Sequence, residues 1–346
     1  MCAETLPDDI KIYKYRKTKL AAYFDTTNDK IPLGLPNTDG SSCFMNCIMA
    51  CLANTPNLVN LELCRGTMYA RVFYAIISYL RGALKLNHDT LKWFRATGPP
   101  VLQSNQQSAE EFLMKMADQI DEAGRSENPQ NASVFVNNIN TIKTTNTTTC
   151  SVHSTLKTDS KNEDTGIILC PLPPTESVGG VKPTSITITE LLRSQYFNHI
   201  ELDTDNHINC PTCDNKTKVN TSIRDTTMVT PAKNVIISLK IYKDDGDRRK
   251  DILVTDILHT QLWSGCDKWY KLAGVVRHLG ASTSGGHYIA IVWKNDKWYS
   301  IDDAAVREIQ TNVIGTIENI DNMILFYNED ESQPATPPQP RPCLDV

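Results

Sequence analysis

The amino-acid sequence predicts an α+β protein, with helices gathered in its first part and strands in the remainder. From about residue 42 to residue 123 the apolar side chains recur with a helical period. After Ala123 the chain changes to short β-type runs separated by Gly, Pro and Asp clusters. The composition, 40% hydrophobic and 22% charged over 346 residues, is that of a globular chain and is too apolar for wholesale disorder. At ~100–200 residues per domain, the length allows two domains or one large multi-lobed one.

Residues 1–30 are polar and mixed, and are expected to form an N-terminal extension. Phe44, Cys47, Ile48, Cys51 and Leu52 then fall on one face of a helix that Pro56 closes. The stretch 71–86 is strongly apolar and reads as a buried helix. A third helix is expected over about 105–123, with Ser104-Asn105-Gln106-Gln107 as its capping box and Ala109, Phe112, Leu113, Met116 and Ile120 as its apolar stripe. Residues 125–150 are rich in Asn and Thr, which favours turns and extended chain. Strand-like runs follow at 166–173, 185–192, 234–242, 271–278, 287–293 and 297–302. The last stretch, 331–346, is proline-rich and is expected to be a disordered tail. Cys343 has a lipidation-like position, but Asp345 breaks the aliphatic pair that such a signal needs. No internal repeat is evident.

Charge and cysteine usage narrow the function. Lys and Arg number 35 against 40 Asp and Glu, a net charge of −5, which argues against a nucleic-acid partner held by a broad basic surface. No apolar run reaches the ~18–20 residues that span a bilayer, and the first residues lack the apolar core of a signal peptide. The expected location is therefore inside the cell, cytoplasmic or nuclear, with no membrane association. In that reducing setting the 11 cysteines read as buried thiols, metal ligands or a nucleophile rather than as disulfides.

Three constellations could carry chemistry. In GLPNTDGSSCFMN (34–46), Cys43 follows a Gly-Ser-Ser loop and opens a helix, where backbone N–H groups and the helix dipole favour a thiolate and could also hold an oxyanion. The competing reading makes Cys43 one more small core residue, like Cys47 and Cys51. In the stretch 280–306, a glycine-rich loop delivers His287 to the start of a strand, and Asn295-Asp296 is a good two-residue hairpin turn. That turn sets Trp293 opposite Trp298 and Ile289 opposite Asp302. Asp302 then lies diagonally across from His287 on the same face, because side chains alternate with period 2. An imidazole oriented by a carboxylate is what a thiol nucleophile needs as its base. The competing reading is an ordinary surface hairpin. The third constellation is Cys150-x-x-His153 with Cys210-x-x-Cys213, two knuckle-like pairs 56 residues apart. Three thiolates and one imidazole suit a structural, tetrahedral Zn²⁺. A redox role for Cys210-Pro-Thr-Cys213 would want a helix after the motif, and DNKTKVNTS is a poor one.

Together these segments resemble the ubiquitin-specific protease family of deubiquitinating cysteine peptidases, from about Gly34 to Tyr327. The Cys box is GLPNTDGSSCFMN and the His box is GGHYIAIVWKNDKWYSIDDAAV. The helix QQSAEEFLMKMADQI (106–120) is similar to the family's Gln-rich motif, and 187–242 follows its finger-to-palm order. The resemblance implies a right-hand architecture over 31–330. The helical thumb covers about 31–125, zinc-held β fingers about 145–225, and a β palm the remainder. It implies Cys43 as nucleophile, His287 as general base, Asp302 as the residue orienting the imidazole and Asp303 as an assisting acid. Gln107 and Glu111 would meet the ubiquitin tail, and Gly285 and Gly286 would line a channel for its Gly-Gly end. The implied partners are ubiquitin and ubiquitinated proteins, the implied cofactor structural Zn²⁺, and the implied state a monomer. Departures are part of the resemblance. Asn37, matching the oxyanion-stabilising Asn, lies six residues before Cys43 where the family places five. Ser108 replaces the usual Asp of the Gln-rich motif, and Ser-Leu-Lys-Ile-Tyr (238–242) replaces a palm strand that usually carries Arg-Phe. Two alternatives to an active deubiquitinase therefore stand: a feeble, ubiquitin-binding relative, and a peptidase for another ubiquitin-like modifier.

Overall fold

The computed structural model describes residues 31–38, 40–56, 58, 68–82, 85–86, 88–98, 108–127, 142–150, 157–165, 167–172, 184–195, 199–202, 222–230, 233–242, 246, 252–255, 259–260, 269–282, 285–310 and 321–332. Among the described residues, four helices precede the first strand: α1 (Cys43–Asn54), α2 (Met68–Leu80), α3 (His88–Thr97) and α4 (Ala109–Glu127). Helix α1 is apolar on every side because it is the centre of the molecule, and all its residues but Asn54 are buried. It packs against α2, α4 and three strands of the main sheet, with the Phe44 and Phe112 rings edge to face at 5.8 Å. Its end is set locally: Thr55 precedes Pro56, takes an extended conformation, and gives both its N–H and its hydroxyl to the Cys51 carbonyl.

Two helical expectations shift. The second helix occupies Met68–Leu80 rather than 71–86, where Gly82 adopts φ 77° in the turn that follows. The third begins at Ala109, and its cap is Ser108, whose Oγ accepts from the Glu111 N–H. The box expected at residues 104–107 lies outside the described residues. Helix α3 was absent from the sequence reading. Its ten residues are short, their mean apolarity is low, and Trp93 and Phe94 give its pattern little support.

The β elements among the described residues form three sheets. The largest has eight strands. β13 (Ala305–Ile309), β12 (Lys297–Asp302), β11 (Gly285–Lys294), β10 (Tyr270–Ser282), β14 (Asn322–Glu329), β7 (Asn234–Lys240) and β3 (Ile168–Pro171) lie side by side, with β9 (His259–Thr260) also on β10. Gly274 in β10 lets the strand approach α1, since a Cβ there would stand 3.3 Å from Cys51 Sγ. A four-stranded sheet has the order β2 (Lys157–Thr165), β1 (Ile142–Cys150), β6 (Ser222–Thr230), β5 (His199–Leu202), and β4 (Thr184–Thr187) pairs with β8 (Ile252–Thr255).

The strand expected at 185–192 is half helix. β4 ends at Thr187 and α5 runs Ile188–Gln195. The cause is a capping box: Thr187 Oγ1 accepts from the Glu190 N–H at 3.1 Å, and Glu190 Oε2 accepts from the Thr187 N–H at 3.0 Å. Among the described residues, no helix is long and apolar enough to cross a membrane.

Candidate active site

The site forms where the N-terminus of α1 meets the β11–β12–β13 hairpins. Asn295 and Asp296 both adopt positive φ, 51° and 59°, as a two-residue hairpin turn requires. The resulting register pairs Trp293 with Trp298 and Ala290 with Ile301, as the sequence predicts. His287 and Asp302 consequently meet on one face: the imidazole Nε2 donates to Asp302 Oδ1 at 2.6 Å. Because an ionised carboxylate can only accept, this bond places the ring proton on Nε2 and leaves Nδ1 to receive one. Both side chains are open to solvent. Polar atoms of His287, Asp302 and Asp303 lie within 4.8 Å of one another.

Cys43 is buried, and burial pushes its thiol up from the ordinary value. The backbone N–H of Tyr288, the residue after His287, opposes that effect. The Asp303 charge adds to the upward shift, while the N–H groups of Phe44 and of Cys43 itself pull it down. No side chain caps this end of α1, because the Ser42 hydroxyl donates to Asn37 Oδ1. The first-turn amides therefore act on the sulfur, as the position of Cys43 in the sequence implies.

Asn37 reaches this loop despite its longer spacing. Gly40, at φ 70°, completes a turn in which its N–H donates to the Asn37 carbonyl, and this turn absorbs the added residue. Asn37 Oδ1 accepts from Ser42 N–H at 2.9 Å, and its Nδ2 donates to Asp303 Oδ2 at 2.9 Å. Asp303 is the hub of the region. Its second carboxylate oxygen accepts from Asn46 Nδ2 at 2.8 Å, and its carbonyl accepts from Leu35 N–H at 3.1 Å. It adopts φ 52°, and a Cβ on Gly34 would collide with its carbonyl oxygen. The two neighbouring aspartates thus differ in what they hold: Asp302 bonds the His287 imidazole, and Asp303 ties the Cys43 loop to the hairpin.

Glu111 lies on the first turn of α4, half-exposed and paired with Lys115. Gly285 and Gly286 are exposed at the start of β11. Gln107, His153, Cys210 and Cys213 lie outside the described residues, and of Cys150 only the backbone, as the last residue of β1, is described. The sequence reading missed Asn46, a buried polar residue three after Cys43 that bonds Leu35 within the same segment and Asp303 from 257 positions away. It also missed Arg95, which comes from α3 to donate to Ser41 at 3.2 Å.

A buried thiol at a helix N-terminus, beside a hairpin carrying a carboxylate-bound histidine, is the layout of a cysteine hydrolase. Residues 33–327 match the family model described as ubiquitin carboxyl-terminal hydrolase, and the chain belongs to that family. Ubiquitin carboxyl-terminal hydrolase 51 of mouse is 26% identical over 345 residues, covering 84% of this chain and 50% of the relative. Ubiquitin carboxyl-terminal hydrolase 3 of Saccharomyces cerevisiae is 48% identical over 46 residues, 13% of this chain and 5% of the relative. The chain thus spans half or less of the length of these curated relatives. Among solved structures, a yeast SAGA DUB module matches with TM-score 0.67 at 18% identity, covering 94% of this chain and 75% of that one. A SAGA DUB module containing Ubp8 bound to monoubiquitin matches with TM-score 0.67 at 19% identity, covering 90% and 74%.

Proposed function

We propose that this protein is a thiol-dependent deubiquitinase that cleaves isopeptide and peptide bonds after the C-terminal glycine of ubiquitin. The observation that carries the reading is the His287–Asp302 pair, 2.6 Å apart, on the hairpin whose next backbone N–H acts on Cys43. In this reading Nδ1 of His287 takes the Cys43 proton, and the thiolate attacks the glycine carbonyl. The second hydrogen of Asn37 Nδ2 and the first-turn amides of α1 receive the oxyanion. The C–N bond breaks as the imidazolium returns its proton to the lysine amine. Water, deprotonated by His287, then hydrolyses the thioester and frees Cys43. Gly285 and Gly286 admit the Gly-Gly tail because no side chain narrows the approach, and Gln107 and Glu111 meet the tail upstream. The protein works as an intracellular monomer on ubiquitinated proteins; the Ubp8-containing neighbour, bound to monoubiquitin, supports ubiquitin as the ligand.

The same reading divides residues 31–330 into thumb, fingers and palm, with a structural Zn²⁺ on Cys150, His153, Cys210 and Cys213. The described strand ends fit this donor set. Cys150 ends β1 opposite Ser222, the first residue of β6, and Leu202 ends β5 opposite the same Ser222. Both knuckle-bearing segments are therefore anchored at one end of the four-stranded sheet. When bound, the ion cross-links that end and takes no part in the reaction.

The test is a ubiquitin bearing a thiol-reactive C-terminal group, read by intact mass. The expected result is one adduct on the wild type and none on Cys43→Ala; no adduct on either would overturn the proposal. Ser108 supports weighing a different ubiquitin-like modifier. As the cap of α4 it can become Asp without loss of the cap, so Ser108→Asp isolates the added charge. Faster ubiquitin cleavage supports ubiquitin as substrate, and an unchanged rate favours another modifier.

A further inference from the structure

Behind His287, on the core side of β11, lies a second histidine that the mechanism above does not use. His278 is 2% exposed and pairs across the strands with Tyr288, while Leu279 pairs with His287 on the opposite face. Its ring contacts the backbone on one side of the base and the side chain on the other. A Cβ on Gly286 would stand 2.5 Å from His278 Nε2 and 2.7 Å from Cε1, so the imidazole fills the space that Gly286 leaves open. The His278 and Tyr288 ring centroids are 4.4 Å apart. A rigid plane thus presses on residues 286 and 288 together, and residue 287 has little freedom between them. What fixes the plane is Tyr242, just beyond β7. Its hydroxyl is hydrogen-bonded to His278 Nδ1, and its ring meets the imidazole edge to face at 5.8 Å.

We infer that the Tyr242–His278 pair is a positioning device for the active site. It sets the backbone at Gly286 and Tyr288, and through it both the His287 imidazole and the Tyr288 N–H that faces Cys43. Neither residue touches the reacting atoms; both act through the strand. The inference rests on the proposed role of His287 as base to the Cys43 thiol. A displacement of ~1 Å at a reacting group can cost ~10²-fold in rate, so loss of one anchoring hydrogen bond should have a kinetic effect larger than its effect on stability.

The experiment compares the full chain with Tyr242→Phe, His278→Gln and His278→Leu by two readouts. The first is the pH profile of Cys43 alkylation by iodoacetamide, read as mass gain absent from Cys43→Ala; it needs no ubiquitin. The second is kcat and KM on a ubiquitin C-terminal fluorogenic amide. Tyr242→Phe is expected to slow alkylation near pH 7 and lower kcat by about tenfold at temperatures where the variant is fully folded, with KM unchanged. His278→Gln, which keeps a polar partner for the hydroxyl, should retain more activity than His278→Leu. A Tyr242→Phe variant with wild-type kcat and alkylation profile would overturn the inference, as would losses that only track a lowered melting temperature. If the wild type leaves the ubiquitin amide intact while Tyr242→Phe still shifts the alkylation profile, the positioning role stands and the deubiquitinase reading fails.

Discussion

Asp302 and Asp303 are adjacent in sequence, yet their side chains have separate tasks, and single substitutions should separate them. Asp302 is exposed and bonded to the imidazole. Asp302→Ala should lower kcat by about 10²–10⁴ with an unchanged melting temperature, because it loosens the base and disturbs no buried contact. Asp303→Ala removes the acceptor for Asn37 and for buried Asn46, and should lower both activity and stability, the latter by about 1–3 kcal/mol in chemical denaturation. Equal stability losses for the two would contradict this division. Asn37→Ala should reduce kcat by about 10²–10³ with little change in KM, as loss of an oxyanion donor does. At this scale the sequence was most legible. The parity of a two-residue turn and the period of a strand are local rules, and they brought Asp302 to His287. The role of Asp303 was not legible, because its partners Leu35, Asn37 and Asn46 are more than 250 positions away.

Among the elements, the Cys43 loop and the β12–β13 turn lock together, and Gly34 is where they touch. Gly34→Ala should destabilise the protein by about 1–3 kcal/mol, because the new methyl meets a backbone carbonyl with no room to yield; denaturant midpoints would measure it. Buried thiols on neighbouring elements give an alkaline signature. Burial raises Cys51 in α1 strongly and pushes Cys170 in β3 up to about 12. In the unfolded chain these thiols ionise from about pH 8.5 upward. The folded state, which keeps them neutral, is therefore fully favoured below that pH and loses stability as pH rises towards the folded values. The melting temperature should fall between pH 8 and pH 10, with a shallower slope in Cys170→Val. Sequence patterns located α1 and the β10–β12 strands because their apolar runs are long. They failed at 185–192, where Ile186, Ile188, Leu191 and Leu192 suit either period and the Thr187–Glu190 box decides for helix.

Among the described residues, the eight-stranded sheet and α1 share one core, and the four-stranded sheet has a separate ladder of hydrogen bonds. If zinc closes the end at Cys150 and Ser222, chelation should raise amide exchange first in β1, β5 and β6 while β10, β11 and β14 stay protected. Uniform exchange across both sheets, or protein that purifies without zinc and melts cooperatively, would count against the metal.

The sequence alone determined the α+β class, the position of Cys43 at a helix start, the hairpin register that joins His287 to Asp302, and the family resemblance. Each of these rests on periodicity, turn chemistry or motif order over a few tens of residues. Tertiary structure decided the rest: that a turn at Gly40 lets Asn37 reach the Cys43 loop, that Asp303 is a clamp, and that Tyr242 meets His278. The Asp303 and Tyr242–His278 contacts join residues 36 to 268 positions apart, and local pattern carries no information about which distant groups a packed core brings into contact.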